Sequence, residues 1–328
     1  MQSLSSLTEL ISNEIFPVTL DRYEDEPMVH PLIARQIPDG EIVDPFGYKA
    51  TTITGGGMPE VRRDGEEISS DQLAEGYPVQ MKIKLLSRKF EIPERALEKM
   101  DSRGVRAMAL RQMAPWGRAF AAKKDSLVAG MFNNGALTAG SLEFFGNSFD
   151  DNSQPDPYPG FIYDGLPWFD TAHPLKNSSS TTFSNHIASA ALSSTTFNDA
   201  RTRLQTTNAR DERNLRINIM ADTLLVPGDL ESTARRVIES QGLAGTANND
   251  INPFRGSVRV IPWNYLSDTD GWFLGNGRQG IIFYDSGAPV VDVMFDQERK
   301  VFVVTAETRF GCAVEDWRYW VANNVAAS

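Results

Sequence analysis

Asp170 and His173 stand close together in the segment WFDTAHP and are the clearest candidates for acid–base chemistry in the chain. A carboxylate that orients a histidine is the arrangement with which many hydrolases activate a serine. Serines follow at 178–180, but the chain has no G-x-S-x-G turn, which is the usual way to expose such a nucleophile. A hydrolase that uses Asp170 and His173 therefore remains an alternative, and we predict no catalytic residue.

The histidines and the cysteine give no recognisable metal site. No two histidines have the H-x-x-x-H spacing of a helical metal pair, the three being His30, His173 and His186. The single cysteine, Cys312, stands between Phe310 and Val314 in an apolar stretch, so we expect a buried, unreactive thiol. One cysteine also excludes an intramolecular disulfide framework.

Two glycine-rich segments resemble nucleotide-binding loops without meeting their requirements. Residues 275–280, GNGRQG, match G-x-G-x-x-G, but the dinucleotide fingerprint needs a helix after the loop and here the strand-like IIFYDS follows. We predict a hairpin turn at this position. Residues 55–57 are three glycines with no following Lys-Ser/Thr, so they do not form a P-loop.

The acidic segment 150–161 has the start of a calcium loop but not the rest. Asp150, Asn152 and Gln154 have the right spacing, yet no glycine stands at the sixth position and Phe161 replaces the bidentate glutamate. A solvated acidic loop is the simpler interpretation. Taken together, the motifs predict no metal and no cofactor.

Composition indicates a globular protein that is not built to grip nucleic acid. The chain has 328 residues, 41% of them hydrophobic, and 43 acidic against 32 basic residues give a net charge of -11. Dedicated nucleic-acid-binding domains are usually basic, so that class loses weight. No apolar run approaches the 18 residues of a membrane span, and the first residues do not read as a signal peptide, so we expect no membrane association and an intracellular origin.

Residues 1–50 predict an extended acidic arm. They contain nine acidic and three basic residues, and prolines at 17, 27, 31 and 38 prevent a long regular element. Scattered apolar residues must lie against something else to be buried: Val29, Leu32, Ile33, Ile37 and Ile42.

Residues 46–92 predict a long two-stranded hairpin. FGYKATTIT is rich in strand-forming residues, and in VQMKIKLL the apolar Val79, Met81, Ile83 and Leu85 alternate with mostly polar neighbours. The stretch between them has turn signals and few large apolar residues. Isolated two-stranded hairpins are marginal, so another chain is expected to support the tip, if the tip is not mobile.

Residues 93–133 predict the main helix. Apolar residues recur near whole helical turns, and the segment carries eight basic against four acidic residues. Gly104 and Pro115 weaken the helix, and Pro115 is expected to kink or split it.

The remaining segments predict mixed helices and strands. Short strands and loops fill 134–192, a helix with Ser/Thr caps in SSTTF begins near Ser194, and Asp229 and Gly242 are expected to cap and stop a second helix. PVVDVMF and KVFVVTAETRFGCAV flank the turn DQERK as an antiparallel hairpin, on which the aromatic C-terminal segment is expected to pack. Regular βαβ alternation is missing, so the predicted class is α+β.

This order of segments resembles the major capsid proteins of tailed bacteriophages, which have the Hong Kong 97-type fold. YKATTITGGG through PVQMKIKLL looks like the extended E-loop of that family, and IPERALEKM through LVAGMFNNG looks like its spine helix. GLPWFDTAHP is similar to an aromatic-Asp-Thr-x-His-Pro segment of many members, LLVPGDLESTARRVIES resembles the strand and helix of the axial domain, and ETRFGCAVEDWRYW resembles the closing strands.

The resemblance covers nearly the whole chain and implies a domain plan. It implies an N-terminal arm at 1–47, an E-loop hairpin at 48–85 and a peripheral domain at 86–192 that includes the spine helix 93–133. An axial domain at 193–288 and closing peripheral strands with a tail at 289–328 complete the plan.

The resemblance also implies the function. It implies a structural shell protein, not an enzyme, that assembles into hexamers and pentamers of an icosahedral head around double-stranded DNA. The implied partners are a portal protein, a decoration protein and, because the chain has only about fifty residues before the hairpin, a separate scaffolding protein. The implied location is the virion, after synthesis in the bacterial host cytoplasm. An encapsulin-type bacterial compartment, which shares the fold, is a second alternative.

Two groups of charged residues are the predicted contact sites. Contacts to neighbouring subunits are expected at the hairpin tip, from Arg62, Arg63, Glu66 and Glu67. A weak, non-specific contact with DNA, or with an acidic arm, is expected along the basic helix, from Arg103, Arg106, Arg111 and Arg118. Some members of the family crosslink subunits through a lysine near the E-loop tip, but residues 51–80 contain no lysine, so no covalent interchain bond is expected.

Overall fold

A computed structural model of the chain describes residues 17, 19–42, 47–54, 74–97, 103–104, 107, 111, 114–136, 162–176, 178–242 and 251–325. Within these ranges two five-stranded sheets and two separate hairpins are accompanied by short helices and one long helix. The α-helices whose two ends are both described are α1 (His30–Ile33), α2 (Glu94–Leu97), α3 (Ala114–Asn134), α4 (Ser194–Thr202) and α5 (Glu231–Glu239), and residues 19–24 are helical as well. The architecture is α+β, as the sequence predicts.

The first sheet is built around its longest strand. Its strands are β1 (Arg35–Gln36), β4 (Lys84–Pro93), β11 (Ile281–Asp285), β12 (Val290–Asp296) and β13 (Val301–Val314). β13 pairs with β4 along one side, and with β12 and then β11 along the other. β12 and β13 form the predicted hairpin across the turn DQERK. Among the described residues, β12 and β4 each leave one long edge without a neighbouring strand.

The second sheet brings together strands that are far apart in the chain. Its order is β7 (His186–Ile187), β14 (Trp320–Asn323), β10 (Trp272–Gly275), β8 (Thr223–Val226) and β9 (Arg259–Pro262). All four residues of β8, β10 and β14 are buried, because α4 and α5 and the main core cover the faces of this sheet.

Two hairpins complete the fold. β2 (Gly47–Thr54) pairs with β3 (Ala74–Lys82), and β5 (His173–Leu175) pairs with β6 (Ser178–Phe183). Tyr48, Val79 and Met81 at the base of the first hairpin are buried in the main core, so its base is fixed by its own chain.

The arm residues that the structure describes are docked on the rest of the subunit. β1 pairs in parallel with β11, and Ile33 and Ile37 are almost fully buried in the main core. Val29, Leu32 and Ile42 pack against that core. These five apolar residues of the predicted arm are therefore wholly or partly covered by their own chain.

Helix α3 follows from its sequence pattern. Pro115 is its second residue, a position where proline costs no hydrogen bond. Trp116, Phe120 and Met131 are buried, as their spacing predicts. Residues 103, 104, 107 and 111 are also helical, but the continuity of the predicted helix 93–133 between them lies outside the described residues.

Several local predictions are wrong. Leu85 is 56% exposed, because a new strand begins at Lys84 and the alternation of the hairpin does not continue through it. Asp229 does not cap α5 but lies in a 3-10 turn, Gly228–Leu230, and α5 ends at Glu239, before Gly242. By contrast, Ser193 caps α4 in a reciprocal capping box with Thr196.

One connection also differs from expectation. The glycine-rich loop 275–280 is not a hairpin turn, because β10 and β11, which it joins, belong to different sheets. The aromatic C-terminal segment shares the main core with the end of β13, through Trp317 and Trp320 beside Phe310 and Val314, and its strand β14 pairs with β10 and β7 in the second sheet. Residues 193–288, which the resemblance groups as one domain, contribute to both sheets. β11 lies in the first sheet, and the second sheet also contains β7 and β14 from outside that range.

Candidate functional site

His173 has a carboxylate partner, but it is not Asp170. The His173 Nδ1 lies 2.6 Å from Asp164 Oδ2, and both side chains are fully buried. Its Nε2 lies 3.1 Å from Asn185 Oδ1, and the ring stacks on Trp317 with centroids 4.4 Å apart. Asp170 instead accepts the backbone N–H of Ala172. With both ring nitrogens engaged inside the protein, this histidine is placed to support the fold and has no open side toward a substrate.

A second buried charge cluster lies beside it. Arg318 donates to Glu212 and to Asp316, and all three lie near Tyr163. Burial, and next the charge of Asp316, raise the pKa of Tyr163 well above its usual value, so this hydroxyl stays protonated. Glu212 also accepts the backbone N–H of Lys176 at 2.7 Å. The cluster ties the C-terminal turn to residues 162–176 and 208–216.

Lys124 and Asp125, next to each other on α3, form the centre of a third polar junction. The Lys124 Nζ is fully buried and donates to Asp285 Oδ1 at 2.5 Å, to Gly287 O at 2.7 Å and to Tyr23 Oη at 2.9 Å. Three acceptors satisfy all three donors of an ammonium group. Burial lowers the pKa of Lys124, although Asp285 opposes that shift. The pair joins α3, the end of β11 and the arm.

Asp125 makes the matching connection on the other side. Its Oδ1 accepts the backbone N–H groups of Val29 and His30, at 2.9 and 2.8 Å, and lies 3.0 Å from His30 Nδ1. Its Oδ2 accepts Trp263 Nε1 at 2.7 Å. One carboxylate therefore holds the arm, α3 and the loop after β9 together. The sequence motifs do not single out either residue, although both continue the buried face of α3 at helical spacing between Ala121 and Val128.

The predicted contact residues are only partly within the described structure. Arg62, Arg63, Glu66 and Glu67 lie outside the described residues, as does Arg106. Arg103 and Arg111 are exposed. Lys124, counted among the bases of the helix, is buried and paired and so contributes no surface charge.

Arg118 has an acidic neighbour in its own chain. Its Nε lies 3.8 Å from Glu26 Oε2 of the arm segment. This places an acidic residue of the same subunit's arm beside Arg118, and a contact of the helix with the arm of a neighbouring subunit stays a prediction.

Three further features of the described residues bear on metal, membrane and thiol chemistry. They contain no group of three or more His, Cys, Asp or Glu side chains that could hold a metal ion. None of the helices in the described part of the chain has the length and apolar character needed to span a bilayer. Cys312 is buried, as predicted, and burial raises the pKa of its thiol far above the usual range. The predicted acidic loop 150–161 lies outside the described residues.

Solved structures with a similar fold include phage capsids. The capsid of Ralstonia phage GP4 aligns with a TM-score of 0.55 at 12% identity, covering 91% of this chain and 88% of that chain. The capsid structure of the cyanophage P-SCSP1u aligns with 0.51 at 11% identity, over 92% and 89%. A chain of Mycobacterium phage Patience aligns with 0.50 at 12% identity, over 98% and 89%. The fold is therefore that of phage capsid subunits of the Hong Kong 97 type.

The sequence itself makes the assignment specific. The family model described as "Phage capsid protein" matches residues 81–323, which include every strand of the second sheet and every strand of the first sheet except β1. The chain belongs to the phage capsid protein family and is a structural protein of the virion, a major capsid protein that forms an icosahedral shell. No curated protein sequence matches the chain significantly.

Proposed function

We propose that copies of this chain form the hexamers and pentamers of an icosahedral phage head that encloses double-stranded DNA. The observation that supports this most is the family match over residues 81–323. This range contains β4, β11, β12 and β13 of the first sheet and all five strands of the second sheet. The role is structural: the buried histidine and carboxylates support the fold, and the candidate pair Asp170 and His173 is not assembled.

The hairpin 48–85 is the proposed E-loop, and its tip is proposed to rest on a neighbouring subunit. Its base is anchored by Tyr48 and Val79 in the core and by Tyr77, whose ring lies 5.3 Å from that of Tyr163. A fixed base with a long excursion beyond it suits a loop that reaches outward. Arg62, Arg63, Glu66 and Glu67 are proposed to make its polar contacts, each worth about 0–1 kcal/mol, and a closed shell repeats them many times.

A double reversal of charge tests the hairpin contacts. Replacing Arg62 and Arg63 by Glu is expected to impair shell formation while the free subunit stays folded. The control is Arg255→Glu, because Arg255 is an exposed arginine in the loop before β9. Normal shell yield from the double variant would refute the assignment of these two arginines.

The proposed contact with DNA is weak, non-specific and made by the basic part of the helix. Arg103 and Arg111 are exposed, whereas the pairing of Arg118 with Glu26 favours the competing role of an intrasubunit ion pair at that residue. Binding of short duplexes to free subunits is to be measured at two salt concentrations, since the logarithm of the affinity falls by about 0.9 per phosphate contact for each unit of log salt. Tight binding that ignores salt would contradict the proposal.

The remaining partners follow from the proposed assembly. A separate scaffolding protein, a portal protein and a decoration protein are proposed, with synthesis in the bacterial host cytoplasm before assembly. The test is to express the chain alone and with the candidate scaffolding protein and to examine purified particles by electron microscopy. Closed shells of one size that form with the scaffolding protein support the proposal. If no shells form and only small soluble species are found, the proposal is contradicted. Shells that enclose an enzyme instead of DNA would favour the encapsulin alternative.

A further inference from the structure

The outer edge of β12 combines features that normally promote strand pairing between molecules. Residues 290–295 read VVDVMF, with β-branched and aromatic residues, no glycine or proline, and one charged residue. Such windows are prone to add further strands when they lie at an exposed sheet edge. Val290 and Met294 are 69% and 64% exposed, and β12 has a neighbouring strand on one side only among the described residues.

Asp292 lies at the centre of this window. It is exposed and points to the same face as Val290 and Met294, since side chains alternate along a strand. The backbone N–H of Val293 donates to Asp292 Oδ1 at 2.8 Å. This carboxylate therefore occupies a backbone donor of the edge strand and places a charge between the two exposed apolar side chains.

The position of Asp292 also opposes pairing with an identical strand. In an antiparallel pair of two β12 strands that sets Val290 of each copy opposite Met294 of the other, the two Asp292 side chains face each other directly. Like charges directly opposite in a sheet are destabilising. The apolar match and the charge clash thus cannot be separated in that register.

We propose that Asp292 closes the edge of β12 to strand pairing with a second copy of this chain, so that free subunits do not associate through it. The inference goes beyond the proposed function, because it concerns free subunits and holds whether or not a shell then forms. Subunits of a shell are present at high local concentration, where pairing of exposed sheet edges would compete with the ordered contacts. The Asp292 carboxylate opposes that pairing.

The test compares Asp292→Val with Glu307→Val. Glu307 is exposed on the same face and lies opposite Val290, but on β13, which has strands on both sides. Both variants therefore remove one negative charge and add one valine, and only the first opens an edge. Association of free subunits is to be followed by sedimentation velocity, with hydrogen exchange of residues 290–295.

We expect Asp292→Val to lower the dissociation constant for self-association at least about fivefold, the equivalent of about 1 kcal/mol for one unfavourable cross-strand pair. Residues 290–295 should gain protection from exchange, and Glu307→Val should behave as the wild type. Asp292→Thr, which keeps a polar strand-forming side chain, serves if the valine variant does not fold. Equal association of the two valine variants, or no association of either Asp292 variant, would overturn the proposal.

Discussion

Gly117 of α3 lies directly against the backbone of the arm: a Cβ atom on this glycine would be 2.3 Å from Thr19 O and 2.7 Å from Tyr23 N. Residues 19–24 are helical, and Thr19 and Tyr23 are buried. The arm segment therefore crosses α3 at a point where no side chain fits. Together with the junctions at Lys124 and Asp125, this crossing makes residues 19–42 a fixed part of the subunit.

The crossing predicts that Gly117→Ala displaces the arm. Backbone atoms cannot rotate away as a side-chain end can, so we expect a loss of about 1–3 kcal/mol in the free energy of unfolding. Gly130→Ala is the matched control on the same helix, because its Cβ would meet nothing within 4 Å. That control should be neutral or stabilising by up to about 1 kcal/mol. Denaturant unfolding and exchange of residues 19–33 measure both, and equal stability of the two variants would contradict the crossing.

Asp125 is expected to be among the most costly residues to replace. Asp125→Ala leaves the buried donors of His30 and Trp263 without an acceptor, which costs about 1–3 kcal/mol for each donor. We therefore expect the free energy of unfolding to fall by about 3 kcal/mol or more. Lys123→Ala, at the adjacent exposed position, should stay within about 0.5 kcal/mol of the wild type. A small effect of Asp125→Ala would show that this carboxylate does not hold the three elements together.

Local patterns in the sequence predict local structure well here. The turn DQERK between alternating strands gives the hairpin β12–β13, Ser193 gives the cap of α4, and the stripe of Trp116 and Phe120 gives the buried face of α3. The same patterns do not say which strands meet. β10 and β11 are separated by five residues yet belong to different sheets, because pairing depends on contacts between distant segments.

The polar residues of the interior show the same limit. The segment WFDTAHP draws attention to Asp170, but the fold brings Asp164 to His173 instead. Lys124 and Asp125 look like part of a basic helix surface when charges are only counted. The helical period predicts that both residues lie on the apolar face of α3. It does not predict their partners, Asp285 and Trp263, because each lies more than a hundred residues away in the chain.

The thiol of Cys312 is expected to be inert in the folded protein. It is 4% exposed, and burial raises its pKa, so the reactive thiolate is almost absent near neutral pH. We expect no reaction with a thiol reagent until the chain is denatured, whereas a cysteine introduced at the exposed Ser87 should react at once.

Mature particles should run as monomers on a denaturing, reducing gel. A ladder of heat-resistant multimers would contradict the prediction that no covalent interchain bond forms.

The ion pairs of Glu91 on β4 are expected to make the stability of the fold sensitive to acid. Arg299 donates to its two oxygens at 2.8 and 2.5 Å, and Lys89 Nζ lies 2.9 Å away. These bonds, that of Arg299 first, lower the pKa of Glu91 from 4.5 to about 2. Because the pKa is lower in the folded state than in the unfolded state, the unfolded state binds more protons between these values. The stabilisation is therefore complete above about pH 4.5 and is lost as the pH falls toward about 2.

The pH dependence of Glu91→Gln measures this contribution. The unfolding midpoints of wild type and variant should differ most at about pH 5 and converge as the pH falls toward about 2, since the wild-type carboxylate then loses the charge that the variant lacks throughout. Arg299→Met removes the main donor, so it should raise the pKa of Glu91 toward its ordinary value and narrow the pH range over which stability is lost. A constant difference between wild type and Glu91→Gln across this range would show that the interaction with Arg299 does not contribute through the charge of Glu91.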